Sequence, residues 1–600
     1  MVDARNPTSP TFGLVPAPVP VPLPACRLWR RRRAGSAVPV LPVRNSRPSA
    51  HSNDPGASTQ SRGQALCSRR TCASSALDPV MAGSHPSPTL PPSSATSSIA
   101  AHSHAATGQV RRAYVETYGC QMNISDGELM QGILAEHGYA IVDSPDEADV
   151  VLVNTCAIRD HAERRVLGRV SQLNGIKRER PHMLIGVTGC MAQRMGTDLL
   201  EKAPFVDLVM GPDAYRTLPQ QLERILEANG RDGAVATPEM SAATGDLSLG
   251  APSPQEKRPA GSGTFARVRN PGRRKERIQL AVLELDEAEN YQGLEQRRTE
   301  GASAWVPIQR GCDHRCTYCI VPYVRGPEKN RTPQEILDEI RGLAEGGRRE
   351  VTLLGQTVNS YRWEAWSFPD LLRAVARIDG IERVRFTSPH PRDVTPEMVD
   401  VMATEPAVCE QLHLPAQAGS NRTLRRMLRR YTVESLLEKV EMVRAAMPDI
   451  ALSTDIIVAF PGETDAEFRE TLDLMRTVRF DDAFTYKYSL RDGTPATRFP
   501  DEDFVDPDEA QARLEELIQV SRGIQAEINR GEVGRVESVL IEKEARDPGH
   551  LLGRTRRNKV VAFPRGPDGI GEFARVRLTG TTGATFSGVR VGADDGDRRA

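Results

Sequence analysis

Three cysteines fall within eight residues, Cys312-x3-Cys316-x2-Cys319, directly after a strand-like run, Ala304–Gln309. That run opens a series. Glu350–Leu354, Arg383–Thr387, Glu410–Leu414, Ile450–Ile457 and Ala483–Tyr488 read as strands, with Pro333–Leu343, Thr395–Met402, Val433–Ala446 and Asp465–Thr477 as helices between them. Six strand–helix units predict an incomplete TIM-type barrel, (βα)6, whose active site collects on the loops at the C-terminal ends of the strands. The cysteine loop stands on that rim. Three thiolates can ligate one face of a cubane iron–sulfur cluster and leave one iron open, whereas structural zinc normally takes four protein ligands. A zinc loop, or a disulfide with a spare thiol, is the alternative; the place of the loop in the barrel favours the cluster.

A second set of cysteines is spread out. Ala113–Thr117, Val150–Val153 and Met183–Thr188 read as strands, alternating with helices such as Asp126–His137 and Asp160–Lys177, which predicts a small parallel α/β domain ending near Asn229. Cys120, Cys156 and Cys190 each stand just after one of these strands. Parallel strands bring their C-terminal ends to one edge of a sheet, so the three thiols can converge there. Three unrelated buried cysteines are the alternative.

Six hundred residues is too long for one core, so several domains are expected. The near-neutral net charge of −1 conceals an uneven distribution. Before Val110 there are eleven Arg, three Asp and neither Lys nor Glu. That stretch, rich in Pro, Ser and Ala, cannot bury enough apolar surface to fold, and 1–110 reads as a disordered leader. An organelle transit peptide, or a true start at Met81, are two readings of it. No run approaches the roughly 20 apolar residues of a membrane span, so a soluble, cytoplasmic protein with reduced thiols is expected. Ten cysteines in that setting call for a metal or catalytic explanation, except Cys26, Cys67 and Cys72 in the leader. The remaining boundaries are an N-terminal domain over 111–230, a linker or insert over 231–295, the barrel over 296–530, closed by a long helix Pro507–Arg530, and a small β-barrel over 531–592. Its strands read as Val536–Ile541, Val560–Phe563, Ala574–Leu578 and Ser587–Val591, and a solvated acidic tail, 593–600, follows.

The motifs bear a family likeness. Gly311-Cys312-Asp313-His314-Arg315-Cys316-Thr317-Tyr318-Cys319-Ile320-Val321-Pro322 resembles the cluster loop of the radical SAM superfamily. Thr117-Tyr118-Gly119-Cys120-Gln121-Met122-Asn123, Val153-Asn154-Thr155-Cys156, Arg159, and Thr188-Gly189-Cys190-Met191-Ala192-Gln193-Arg194 resemble the N-terminal domain of its methylthiotransferase family. The likeness runs from about 113 to 590. It includes Arg325–Arg331, Leu354–Tyr361, Thr387–Pro391, His413-Leu414-Pro415 and Phe460–Thr464. The Gln-Met-Asn after Cys120 and the Gly-Gln-x-Val-Asn-Ser-Tyr run are closest to the tRNA-modifying branch, the 2-methylthio-N6-dimethylallyladenosine synthases. Departures are Ala418 where Ser is common, Ala459 for Gly, Asn330 for Ser and Thr357 for Asn.

The resemblance implies two 4Fe-4S clusters, one on Cys312, Cys316 and Cys319 and an auxiliary one on Cys120, Cys156 and Cys190. It implies S-adenosylmethionine (SAM) as cofactor, with Tyr318, Gly355, Gln356 and Asp455 as contacts. The expected reaction adds a methylthio group to C2 of N6-isopentenyladenosine at position 37 of tRNA. The expected partners are that tRNA, a reductant such as flavodoxin or ferredoxin, and a sulfur donor, and the protein is expected to be a monomer. Threonylcarbamoyladenosine in tRNA or a ribosomal protein is the alternative substrate; a non-catalytic iron–sulfur RNA-binding protein is the alternative class.

Two basic regions suit RNA. Helical spacing places Arg422, Arg425, Arg426 and Arg429 on one face, next to the rim, where a phosphate backbone would bind; a solvated helix is the alternative. Residues 532–591, which resemble a TRAM module, carry eleven Lys and Arg against seven Asp and Glu, among them Arg554, Arg556, Arg557 and Lys559. Glu463 reads as a further SAM or substrate contact, His390 and His413 as groups behind the site or structural histidines, and Cys409 as a buried small hydrophobe.

Overall fold

The computed structural model describes residues 110–157, 160–230, 264–268, 277–298 and 301–592. The leader to 109, Arg159, most of the predicted linker and the acidic tail lie outside the described residues.

The N-terminal domain is one seven-stranded sheet. Its central strands Arg112–Thr117, Val150–Thr155, Leu184–Gly189 and Leu208–Met210 are parallel neighbours in that order. Val150–Thr155 and Leu184–Gly189 are buried along their whole length, as strands covered on both faces must be. One face packs on Leu129, Ile133, Leu222 and Ile225, the other on Val166, Val170, Leu173 and Met191. The linker reading needs correcting here. Arg277–Val282 joins the sheet parallel to Leu208–Met210, and Thr264–Val268 adds an antiparallel edge. The Gly- and charge-rich flanks of these strands hid their period.

The second domain is the predicted partial barrel, in two arcs of parallel strands. Ser303–Pro307, Glu350–Leu354 and Arg383–Phe386 form one arc. Gln411–His413, Ala451–Val458 and Asp482–Lys487 form the other, and a parallel bridge between Val384 and Val408 joins them. Val351, Leu353, Val384 and Phe386 pack outward against Ile336, Leu372, Leu436 and Phe468 of the surrounding helices. Thr432 and Thr464 start two of those helices by accepting N–H groups of the first turn. The long helix, Pro507–Glu532, is capped by the Asp506 carboxylate.

The C-terminal domain is a closed five-stranded barrel around Val539, Ile541, Leu551, Val561, Phe563 and Phe586. It includes a strand that the sequence reading missed, His550–Arg554. Gly553 there lies where a Cβ would meet the Leu540 carbonyl oxygen at 2.2 Å, so the inward position carries no side chain to signal the alternation.

This domain docks at the start of the strands of the larger barrel, the end opposite the cysteine loop. Arg383 donates to the carbonyls of Arg554 and Ser538, each at 2.7 Å, and Arg385 to those of Arg556 and Thr555, each at 2.8 Å. Among the described residues, no helix is long and apolar enough to cross a membrane.

Candidate metal centre with two cysteine triads

The first triad is shaped by a local turn. Gly311 has φ +73°, and a Cβ on it would lie 1.9 Å from the Pro327 carbonyl oxygen, so only glycine fits before Cys312. The loop folds back through Cys312 N–H to the Gly326 carbonyl and Cys319 N–H to that of Cys316. Burial first, then the neighbouring Cys316, raises the Cys319 thiol to about 12. Burial raises Cys312 to about 11, opposed by hydrogen bonds that include the Thr357 hydroxyl. The Cys316 sulfur therefore acts on both of its neighbours. Buried thiols of this kind lose their protons when a metal takes them, and all three are free of disulfides.

Arg429 needs a correction. It is buried, and its Nη1 donates to Cys316 Sγ at 3.5 Å while Nε donates to the Tyr431 hydroxyl at 3.1 Å. It belongs to the cysteine loop and not to an RNA-facing surface. The end of the preceding helix, Asn421–Arg426, is clamped to that loop by Thr317, whose N–H and hydroxyl donate to the Met427 and Arg426 carbonyls.

Tyr318 lies between two of the cysteines, edge-on to Phe460 at 6.4 Å. Gly355 abuts Gln309, and the Gln356 Oε1 is buried with no protein donor. That orphaned acceptor, on the segment whose next residue reaches Cys312, is what a small ligand with an ammonium group would satisfy. Asp455 faces His413 Nε2 at 3.4 Å. Glu463 has protein partners of its own. Its carboxylate accepts the Ala459 N–H at 2.6 Å and pairs with Arg513 at 3.0 Å, and burial, which outweighs both, raises it to about 7.

The second triad comes from three separate strand ends. Cys120 caps helix Gln121–Glu136, Cys156 follows Val150–Thr155, and Cys190 opens helix Cys190–Met195. Gly119, at φ +145°, packs so tightly that a Cβ would be 2.6 Å from that of Cys156. A hydrogen bond from Cys156 is the main reason that the Cys120 thiol drops to about 6, against the cost of burial. Asn123 and Asn154 fasten these turns: Asn123 Nδ2 donates to the Thr155 carbonyl at 3.1 Å, and Asn154 Nδ2 to that of Asn123 at 2.7 Å.

Sequence reasoning missed Arg325 and Asp126. The Arg325 guanidinium donates through Nε to Cys190 Sγ at 3.1 Å and through Nη2 to Asp126 at 2.5 Å. A charged residue six positions after Cys319, in a loop otherwise packed inside, was the available signal.

The two triads face each other. Ile320 and Val324, just after the first triad, pack with Ala157 and Cys190 of the second in one buried apolar cluster. Helix Val321–Val324 runs from the first loop to Arg325. Beside the first loop, His314 and His390 stack at 4.0 Å with their planes 8° apart, and Asp393 lies against both. The His390 Nδ1 accepts the Arg392 N–H, and burial drives its basicity down to about 2. These rings act as packing for the loop.

The basic residues of the C-terminal barrel also turn inward. Arg556 forks onto Glu410 at 2.8 Å and onto the Pro406 and Val408 carbonyls. Arg557 pairs with Glu532 and Glu537, and Lys559 with Asp481 at 2.8 Å. These three side chains are thus engaged by carboxylates of this chain. Arg554 pairs with Glu542 at the margin. On the rim helix, Arg422 pairs with Glu467 and Arg426 with Asp503, whereas Arg425 is exposed.

The comparisons with known proteins follow the same division. Residues 112–211 match a family described as "Uncharacterized protein family UPF0004", 306–475 the radical SAM superfamily, and 530–587 the TRAM domain. The chain is 40% identical over 487 residues to a tRNA-2-methylthio-N(6)-dimethylallyladenosine synthase of Chloroherpeton thalassium, covering 80% of this chain and 97% of the relative. A protein of the same description from Carboxydothermus hydrogenoformans is 41% identical, with 78% and 96% covered. Among solved structures, the radical S-adenosylmethionine methyltransferase TsrM of Kitasatospora setae aligns with a TM-score of 0.45 and 14% identity, over 65% of this chain and 77% of that one.

Proposed function

Because the chain belongs to the family of tRNA-2-methylthio-N(6)-dimethylallyladenosine synthases, we propose that it adds a methylthio group to C2 of N6-isopentenyladenosine at position 37 of tRNA. It is a radical SAM methylthiotransferase, and its cofactors are SAM and two 4Fe-4S clusters. Cys312, Cys316 and Cys319 would hold one cluster, and Cys120, Cys156 and Cys190 the other. When bound, the first would supply the electron that cleaves SAM, and the second the sulfur.

One observation supports the assignment of roles: Ile320 and Val324, which directly follow the first triad, pack with Ala157 and Cys190 of the second in one buried apolar cluster. A carbon made reactive beside one triad would then be close to sulfur held at the other, and this apolar packing would limit water there. This chain's own residues prepare the site. Arg429 compensates the charge gathered on Cys316, and Tyr318 and the unpaired Gln356 oxygen line the space beside the loop for SAM. The target base must leave its stack to enter, at modest cost in a loop nucleotide. Exposed Arg425 on the rim helix, with no carboxylate partner among the described residues, supports a contact with the phosphate backbone.

A low-potential flavodoxin or ferredoxin as reductant, a separate sulfur donor and a monomeric protein complete the reading. Two measurements test it: anaerobic cleavage of SAM to 5′-deoxyadenosine by the reconstituted protein, and mass spectrometry of nucleosides from a deletion strain. The expected outcome is loss of the methylthio group from one isopentenylated adenosine. Loss from a threonylcarbamoylated one instead would refute the substrate.

A further inference from the structure

The second triad is served by a cation that arrives from the other domain. Arg325 is almost wholly buried, and its Nε and Nη2 are committed to Cys190 and Asp126. Its third nitrogen, Nη1, is buried with no acceptor among the described residues. A buried donor left unmade costs about 1–3 kcal/mol, and among non-protein acceptors the sulfur of an inorganic group on this triad is the natural one. Resting on the reading of Cys120, Cys156 and Cys190 as cluster ligands, we propose that Arg325 is a positioning residue that orients Cys190 and, against Asp126, sets the reduction potential of the auxiliary cluster.

The physics has a definite sign. Adding an electron makes the cluster more negative, and a positive charge or hydrogen bond at a ligand sulfur favours that state. Arg325 raises the potential; Asp126, on the same guanidinium, lowers it. Low local dielectric makes both effects felt. Arg491, whose charge acts on Cys156, is common to all variants and leaves the comparison intact.

The test uses the full chain with Cys312, Cys316 and Cys319 replaced by Ser, so that one cluster remains to titrate. Iron analysis comes first: about four irons per chain are expected, and no iron at all means that the reading of the triad itself has failed. An EPR-monitored redox titration then compares Arg325→Gln, Arg325→Lys and Asp126→Asn with this parent. Arg325→Gln is expected to move the potential down, Asp126→Asn to move it up, and Arg325→Lys to stay closer to the parent than Gln does. Loosening of the site would shift both removals in one direction, so shifts of the same sign, or none, overturn the proposal. Should Arg325→Gln take up no iron, Asp126→Asn decides alone, and a potential at or below the parent's overturns it.

Discussion

The two cysteine triads achieve similar surroundings by opposite routes. Each has two buried cysteines and one partly buried, and each has one sulfur that accepts from a buried guanidinium, Arg429 at Cys316 and Arg325 at Cys190. The first is a single loop of eight residues whose shape depends on one glycine turn. The second joins three strand ends, Cys120 to Cys190, and takes its guanidinium from a different domain. Local geometry is sufficient for one; the other requires a folded sheet and a docked barrel. Damage should therefore separate them.

The largest effect is expected from the ligands themselves. Cys316→Ala should abolish both 5′-deoxyadenosine formation and tRNA modification, while Cys156→Ala should keep SAM cleavage and lose methylthiolation. Equal loss of both activities in the two variants would break the division of roles.

The glycines come next. Gly311→Ala should disable the first loop, where the added carbon meets the Pro327 oxygen, and Gly119→Ala the second, where it meets Cys156. Each variant should retain about half of the iron of the intact protein, with the EPR signal of the other cluster preserved. Loss of both clusters from Gly311→Ala would show that the second triad needs the first loop for its assembly.

The same contrast between local and assembled sites applies to the basic residues. Arg556→Ala removes the fork onto Glu410 and should lower stability by on the order of 2 kcal/mol in denaturant unfolding, leaving the salt dependence of tRNA binding in place. Arg425→Ala should leave stability within ~0.5 kcal/mol and reduce the slope of log K against log salt by about one. An exchange of these two outcomes would reverse the assignment of which basic residue meets RNA.

The smallest effect concerns a family departure. Ala459 adopts φ +58°, a left-handed conformation that suits glycine. Ala459→Gly relieves that strain but adds freedom to the unfolded chain, so a net gain on the order of 0.5 kcal/mol is expected from thermal unfolding.

Much of this was legible before folding. Strand and helix periods are set by neighbours a few residues away, so the six barrel strands and the turns bearing Cys120, Cys156 and Cys190 could be read from pattern alone. Gly-containing His550–Arg554, the edge strand Thr264–Val268 and its neighbour Arg277–Val282 were missed because their signals are carried by pairing partners far along the chain.

Charge was the least legible property. Helical spacing put Arg422, Arg425, Arg426 and Arg429 on one face, but the helix ends at Arg426 and Arg429 turns inward beyond it, whereas composition correctly found a basic C-terminal domain. Whether a guanidinium faces solvent, a carboxylate or a thiolate depends on groups brought in by other segments. Arg429, Arg556, Arg557 and Lys559 are thus consumed by the fold, Arg425 is not, and Arg325 reaches a cysteine 135 residues away. The residue types and their local spacing were enough to determine that this chain carries two thiolate triads on a parallel sheet and a barrel. That the triads face one another, each with its own buried cation, was decided only in three dimensions, because those contacts join residues that no local rule connects.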